Sequence, residues 1–170
     1  QTLTDLDRQG RDLFRRWCEQ AGLTVHVDEM GNMLARRRGR RDDLPPVVMG
    51  SHLDTQPTGG KFDGVGGVLA ALEVVRTLND AGYETDHPLI VVNWTNEEGT
   101  RFAPAMLASG VWAGAFTKEF AYARTDRDGK LFGEELARIG YRGELPCAPQ
   151  AWKCHLELHI EQGPILEAEG

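Results

Sequence analysis

Four side chains of this 170-residue chain, His52, Asp63, Glu98 and His159, are of the types that hold a divalent metal. Imidazole and carboxylate are the usual ligands of a catalytic cation. His52 stands in Gly50-Ser51-His52-Leu53-Asp54-Thr55 and Glu98 in Thr95-Asn96-Glu97-Glu98-Gly99. His159 opens His159-Ile160-Glu161-Gln162-Gly163, and Asp63 lies in Phe62-Asp63-Gly64. A carboxylate such as Asp63 has two oxygens and could bridge two metals about 3.5–4 Å apart. Asp54 follows His52 by two positions, on the same face of an extended segment. There its carboxylate could accept the second ring N–H of His52, fixing the tautomer and raising ligand basicity. Glu97 and Glu98 are adjacent and point differently, so one can bind metal while the other stays free as a general base.

These clusters need elements that bring them together, and the apolar pattern supplies them. Val47 to Met49, Leu89 to Trp94 and Cys154 to Ile160 read as strands, each running into one of the polar clusters. The spacing predicts helices over residues 4–21, with Leu6, Leu13, Phe14 and Trp17 on one side, and over 65–81. Two more are expected over 103–113, interrupted near Ser109-Gly110, and over 131–139. Leu23 to Val27 and Met33 to Ala35 flank Gly31-Asn32 as a hairpin. Strands separated by helices of this length predict an α/β fold, a mostly parallel central sheet flanked by helices. Sites in such sheets form at the carboxyl ends of the strands. Spacing alone still leaves two readings open. The four residues are metal ligands, or they are a structural histidine pair, a turn Asp and a solvated Glu.

Other chemistries fit poorly. Nineteen basic against 26 acidic residues, a formal charge of -7, do not favour a nucleic acid as partner. The basic run Arg36 to Arg41 therefore reads as a solvated loop. Thr58-Gly59-Gly60-Lys61 resembles the end of a P-loop, but Phe62 replaces the required Ser or Thr. Gly64-Val65-Gly66-Gly67 fails to complete GxGxxG, since Leu69 occupies the last glycine position; these glycines read as close helix–strand packing. Ser51 and Ser109 lack a nucleophile-elbow context. His26 and His87 read as surface residues, and His155 is a weaker ligand candidate than His159. Cys18, Cys147 and Cys154 show neither zinc spacing nor a disulfide framework, which predicts a reducing, cytoplasmic compartment. No run approaches the roughly 18 apolar residues of a membrane span.

Read together, the motifs resemble a known family. Gly50 to Thr55 with Gly59 to Gly67, then Asn96 to Phe102, then Glu157 to Pro164, are similar to three motifs of the M20-type metallohydrolases. They most resemble the branch containing N-carbamoyl-L-amino-acid hydrolases, β-ureidopropionases and allantoate amidohydrolases. The resemblance implies two divalent metals, zinc in most members and manganese, cobalt or nickel in some. It implies that His52, Asp63, Glu98 and His159 are ligands, with Asp63 bridging. It further implies that Glu97 is the base toward a metal-bridging water, Asp54 orients His52, and Gln162 contacts substrate. The expected substrate is a small carbamoyl or ureido amino-acid compound. An allantoate or acyl-amino-acid hydrolase, or an inactive metal-binding fragment, is the alternative. Residues 1–170 are expected to be a partial catalytic domain, without the lid and dimerisation domain through which the full-length protein would form a homodimer, and without a final His ligand.

Overall fold

The computed structural model describes residues 1–170. Helix α1 (Asp5–Gln20) leads into the hairpin β1 (Thr24–Val27) and β2 (Met33–Arg37). Strand β3 (Val47–His52), helix α2 (Val65–Asp80) and strand β4 (Leu89–Trp94) follow. Three short helices come next: α3 (Leu107–Trp112), α4 (Lys118–Tyr122) and α5 (Phe132–Arg138). Strand β5 (Cys154–Leu156) and helix α6 (Ile165–Glu169) end the chain.

The five strands form one sheet in the order β1-β2-β4-β3-β5. β3 pairs in parallel with both β4 and β5, whereas β2 is antiparallel to β1 and β4. Four strands thus point one way and β2 alone opposes them. The α/β expectation holds, with the hairpin added as an antiparallel margin.

Alternation along the strands sorts the apolar residues onto two faces. Met33, Ala35, Met49, Leu89 and Val91 pack with Phe14 and Cys18 of α1 and with Val68, Ala71, Leu72 and Val75 of α2. Leu34, Val48, Ile90, Val92 and Trp94 face the other way, against Trp112 and Trp152. Gly50 stands opposite Val92 of β4 in the parallel pairing: its φ is +147°, and an added Cβ would lie 2.1 Å from the Val92 carbonyl oxygen.

Two helices depart from expectation. In α1, Leu6 is 76% exposed, and the inner face instead carries Arg11, which is fully buried. Asp7 neutralises it from one turn away, with Nε 2.9 Å from Oδ2. α3 begins only at Leu107 and runs through Ser109-Gly110 without a break, and Gly110 lets the Phe116 ring approach to where a Cβ would sit. β5 is shorter than the expected strand: its pairing with β3 ends at Met49↔Leu156.

Candidate metal centre

His52 closes β3, and the chain turns after β4 so that Thr95 to Glu98 follow Trp94 directly. Asp63 lies just ahead of α2. All three segments meet at the carboxyl ends of the parallel strands, as an open α/β sheet requires. His159 reaches the same place after leaving the ladder. Ser51 Oγ donates to Glu157 Oε1 at 2.5 Å, and the Leu158 carbonyl rests on Gly67, where a Cβ would sit 2.3 Å away. Gly64 does the same for His52, whose ring lies 2.3 Å from the place of a Cβ. Gly64 and Gly67 are packing devices, as their sequence context suggested, whereas a Cβ at Gly66 would meet nothing.

The ligating atoms of His52, Asp63 and His159 all lie within 4.8 Å of one another. His52 is fully buried and Asp63 nearly so. His52 Nε2 stands 3.3 Å from His159 Nε2, 3.3 Å from Glu97 Oε2 and 3.8 Å from Asp63 Oδ1. His159 Nε2 is 3.2 Å from Asp63 Oδ1.

The tautomers follow from the outer contacts. His52 Nδ1 lies 2.8 Å from the Asp54 carbonyl oxygen, and His159 Nδ1 lies 2.7 Å from the Ile160 carbonyl oxygen. A carbonyl only accepts, so each Nδ1 carries the proton and each Nε2 is left as a lone pair. The two Nε2 atoms, Asp63 Oδ1 and Glu97 Oε2 then converge as acceptors with no donor among them. Asp63 Oδ1 and Glu98 Oε1 are buried without a hydrogen-bond donor. Such a set repels itself unless a cation sits within it. Ligands at about 2.0–2.2 Å around a tetrahedral cation stand roughly 3.3–3.6 Å apart, which the 3.2–3.8 Å spacings here match. The residues fit a divalent metal.

Glu98 stands outside that triple. Its Oε2 accepts from Gln56 Nε2 at 2.8 Å, while its Oε1 is one of the unpartnered buried atoms. Glu97, next to it, points at His52 instead, so the two carboxylates separate as expected. Burial raises the Glu97 pKa above the ordinary glutamate value.

Asp54 differs from expectation. Its carboxylate is 3.8 Å from His52 Nδ1 and makes no hydrogen bond to it; the backbone carbonyl does. The carboxylate accepts instead from the N–H groups of Glu97 at 3.1 Å and Glu98 at 3.2 Å. Asp54 thus orients His52 through its main chain and the two glutamates through its side chain. Gln162 donates to Asp63 Oδ2 at 2.8 Å, a contact the sequence reading did not anticipate. His155 lies away from the cluster, beside Trp94 and Trp152.

The Ile160 carbonyl, which accepts a hydrogen bond from His159 Nδ1–H, raises the pKa of that ring, and Asp63 adds to the effect. A metal must displace a proton from the charged ring, so affinity falls as pH drops through the raised pKa. Metal titration of the protein at about pH 8 and about pH 6, values that bracket the ordinary histidine range, is expected to show roughly tenfold or more weaker binding at the lower pH. Equal affinity at both would contradict the proposed ligand.

An acceptor-only cluster at the strand ends of an α/β sheet is a set of residues that could hold a divalent cation. Residues 48–170 match peptidase family M20/M25/M40, and the chain belongs to that family. It is 63% identical to the N-carbamoyl-L-amino-acid amidohydrolase of Rhizobium meliloti, over 99% of this chain and 41% of that protein. It is 38% identical to the ureidoglycolate hydrolase of Arabidopsis thaliana, over 98% of this chain and 37% of that protein. Among solved structures, a hydantoinase/carbamoylase-family amidase from Burkholderia multivorans superposes with a TM-score of 0.96 at 64% identity, covering 99% of this chain and 41% of that one. The chain therefore spans about two fifths of the length of these relatives. No helix is long and apolar enough to cross a membrane.

Proposed function

We propose that the full-length protein is a metal-dependent hydrolase of non-peptide carbon–nitrogen bonds, acting on N-carbamoyl-L-amino acids. Water and substrate would give the free amino acid, carbon dioxide and ammonia. The observation that carries this reading is the donor-free convergence of His52 Nε2, His159 Nε2, Asp63 Oδ1 and Glu97 Oε2. The names of the most similar relatives support the substrate class.

In this reading His52, Asp63 and His159 hold one divalent cation, and Asp63 with Glu98 offers ligands to a second. Zinc suits the imidazole and carboxylate set, with manganese, cobalt or nickel as substitutes. Such cations supply Lewis acidity, acidifying water and polarising the ureido carbonyl. Glu97 takes the proton of the attacking water and returns it to the departing nitrogen. Burial raises its pKa, which favours taking up a proton from water. Gln162, whose amide touches Asp63, is proposed to contact substrate as well. Residues 1–170 would be one part of the catalytic domain, completed by further chain that also carries the homodimer contact.

The similarity to ureidoglycolate hydrolase supports a second reading within the same chemistry, a different ureido compound as substrate. Initial rates of the full-length protein on N-carbamoyl-L-amino acids, ureidoglycolate and dipeptides decide between them. The first reading expects carbamoyl amino acids to give the highest kcat/KM. A clear preference for ureidoglycolate or for peptides would replace it.

A further inference from the structure

The Arg11 guanidinium is buried beneath the site, on α1. Its side chain is 1% exposed and that of its ion-pair partner Asp7 is 4% exposed. A buried charge is costly unless every donor is met, and here the donors are spent on particular acceptors. Nη1 donates to the Gly31 carbonyl at 2.8 Å, and Nη2 donates to Thr95 Oγ1 at 3.1 Å. The Leu3 N–H fixes Asp7 Oδ2 at 2.7 Å, and Arg11 lies over the Tyr141 ring at 5.3 Å.

Thr95 is the first residue past β4, two positions before Glu97. Its N–H donates to Asn32 Oδ1 at 2.9 Å, and Asn32 in turn donates to the buried Asp28. Arg11, on α1, and Asn32, in the turn just ahead of β2, therefore grip the side chain and main chain of Thr95. Asn96 next to it has a φ of +55°, an uncommon conformation for a residue with a side chain. Its Nδ2 is tied to the Phe102 carbonyl. Asp54 then fixes the N–H groups of Glu97 and Glu98. The turn carrying both glutamates is clamped at its root by Arg11 and at its tip by Asp54.

We propose that Arg11 is a positioning residue for the hydrolytic reaction, acting through the Thr95 hydroxyl on the placement of Glu97. This rests on the reading of Glu97 as the base. Misplacement of a reacting group by about 1 Å can cost about a hundredfold in rate. Thr95→Val in the full-length protein keeps the side-chain shape and removes only the acceptor for Arg11. It is expected to lower kcat about ten- to a hundredfold on a carbamoyl amino acid, with KM within about twofold and metal content unchanged. Thr95→Ser should restore most of the rate, and Arg11→Lys, which lacks the planar fork, should resemble Thr95→Val.

Wild type and Glu97→Gln measured beside them separate the two claims. A wild type with no turnover, or a Glu97→Gln variant as active as wild type, would sink the hydrolytic reading and this inference with it. If that pair behaves as expected, unchanged kcat in Thr95→Val overturns the role of Arg11 alone. So would metal content falling in step with kcat without rescue by Thr95→Ser, since that marks a merely structural contact.

Discussion

Glu97→Gln in the full-length protein is expected to lower kcat by about 10³–10⁴-fold, while metal content and melting temperature stay near wild type. A positioned acid–base group contributes typically 10²–10⁴ in rate, and Glu97 is asked to act twice in one turnover. The amide keeps the size of the side chain but cannot accept and return the proton. Its neighbour is a poor substitute, because Glu98 turns away to Gln56. Because Glu97 Oε2 lies 3.3 Å from His52 Nε2, metal content must be measured alongside the rate. A variant that keeps its metal and turns over within tenfold of wild type would remove Glu97 from the base role.

Gly64→Ala is expected to damage the site by geometry alone. The new Cβ would stand 2.3 Å from the His52 ring, and the residue holds a φ of +67°. The left-handed backbone costs an L-residue about 1–2 kcal/mol, and overpacking a filled site costs about 1–3 kcal/mol more. His52 is fully buried among Asp54, Asp63 and Glu97, so its ring has little room to retreat. Metal affinity should fall about a hundredfold, comparable with loss of a supporting contact around a metal. Denaturant unfolding and metal titration of the variant test both parts. Wild-type affinity would show that the loop before α2 relaxes freely.

The particular residues show what could be read from sequence. Leu89–Trp94 was legible to the residue because a continuous apolar run in a parallel sheet is buried on both faces. Three of the four ligand candidates meet in one cluster, and the fourth, Glu98, stands at its margin with a bare oxygen. Arg11 was not legible: a charged residue on a helix reads as solvent-facing. Only the Asp7–Arg11 spacing hinted at a pair that could be buried. The contact between the Asp54 carboxylate and the Glu97 and Glu98 N–H groups was hidden for another reason. Main-chain donors leave no trace in residue types. β5 ended early because the segment after Leu156 packs on Gly67 and Ser51 instead of pairing, a tertiary demand that strand periodicity does not carry. The short α4 did have a signal, Thr117, whose Oγ1 accepts the Phe120 N–H at 3.1 Å as an N-cap.

The central claim is that the convergent acceptors at the strand ends hold divalent cations that the hydrolysis requires. Turnover of an N-carbamoyl-L-amino acid by the full-length protein, before and after exhaustive chelation and again after divalent metal is restored, tests it most directly. The expected result is loss of nearly all activity on chelation and its return with zinc, manganese, cobalt or nickel. Undiminished turnover by protein shown by elemental analysis to be free of metal would contradict it.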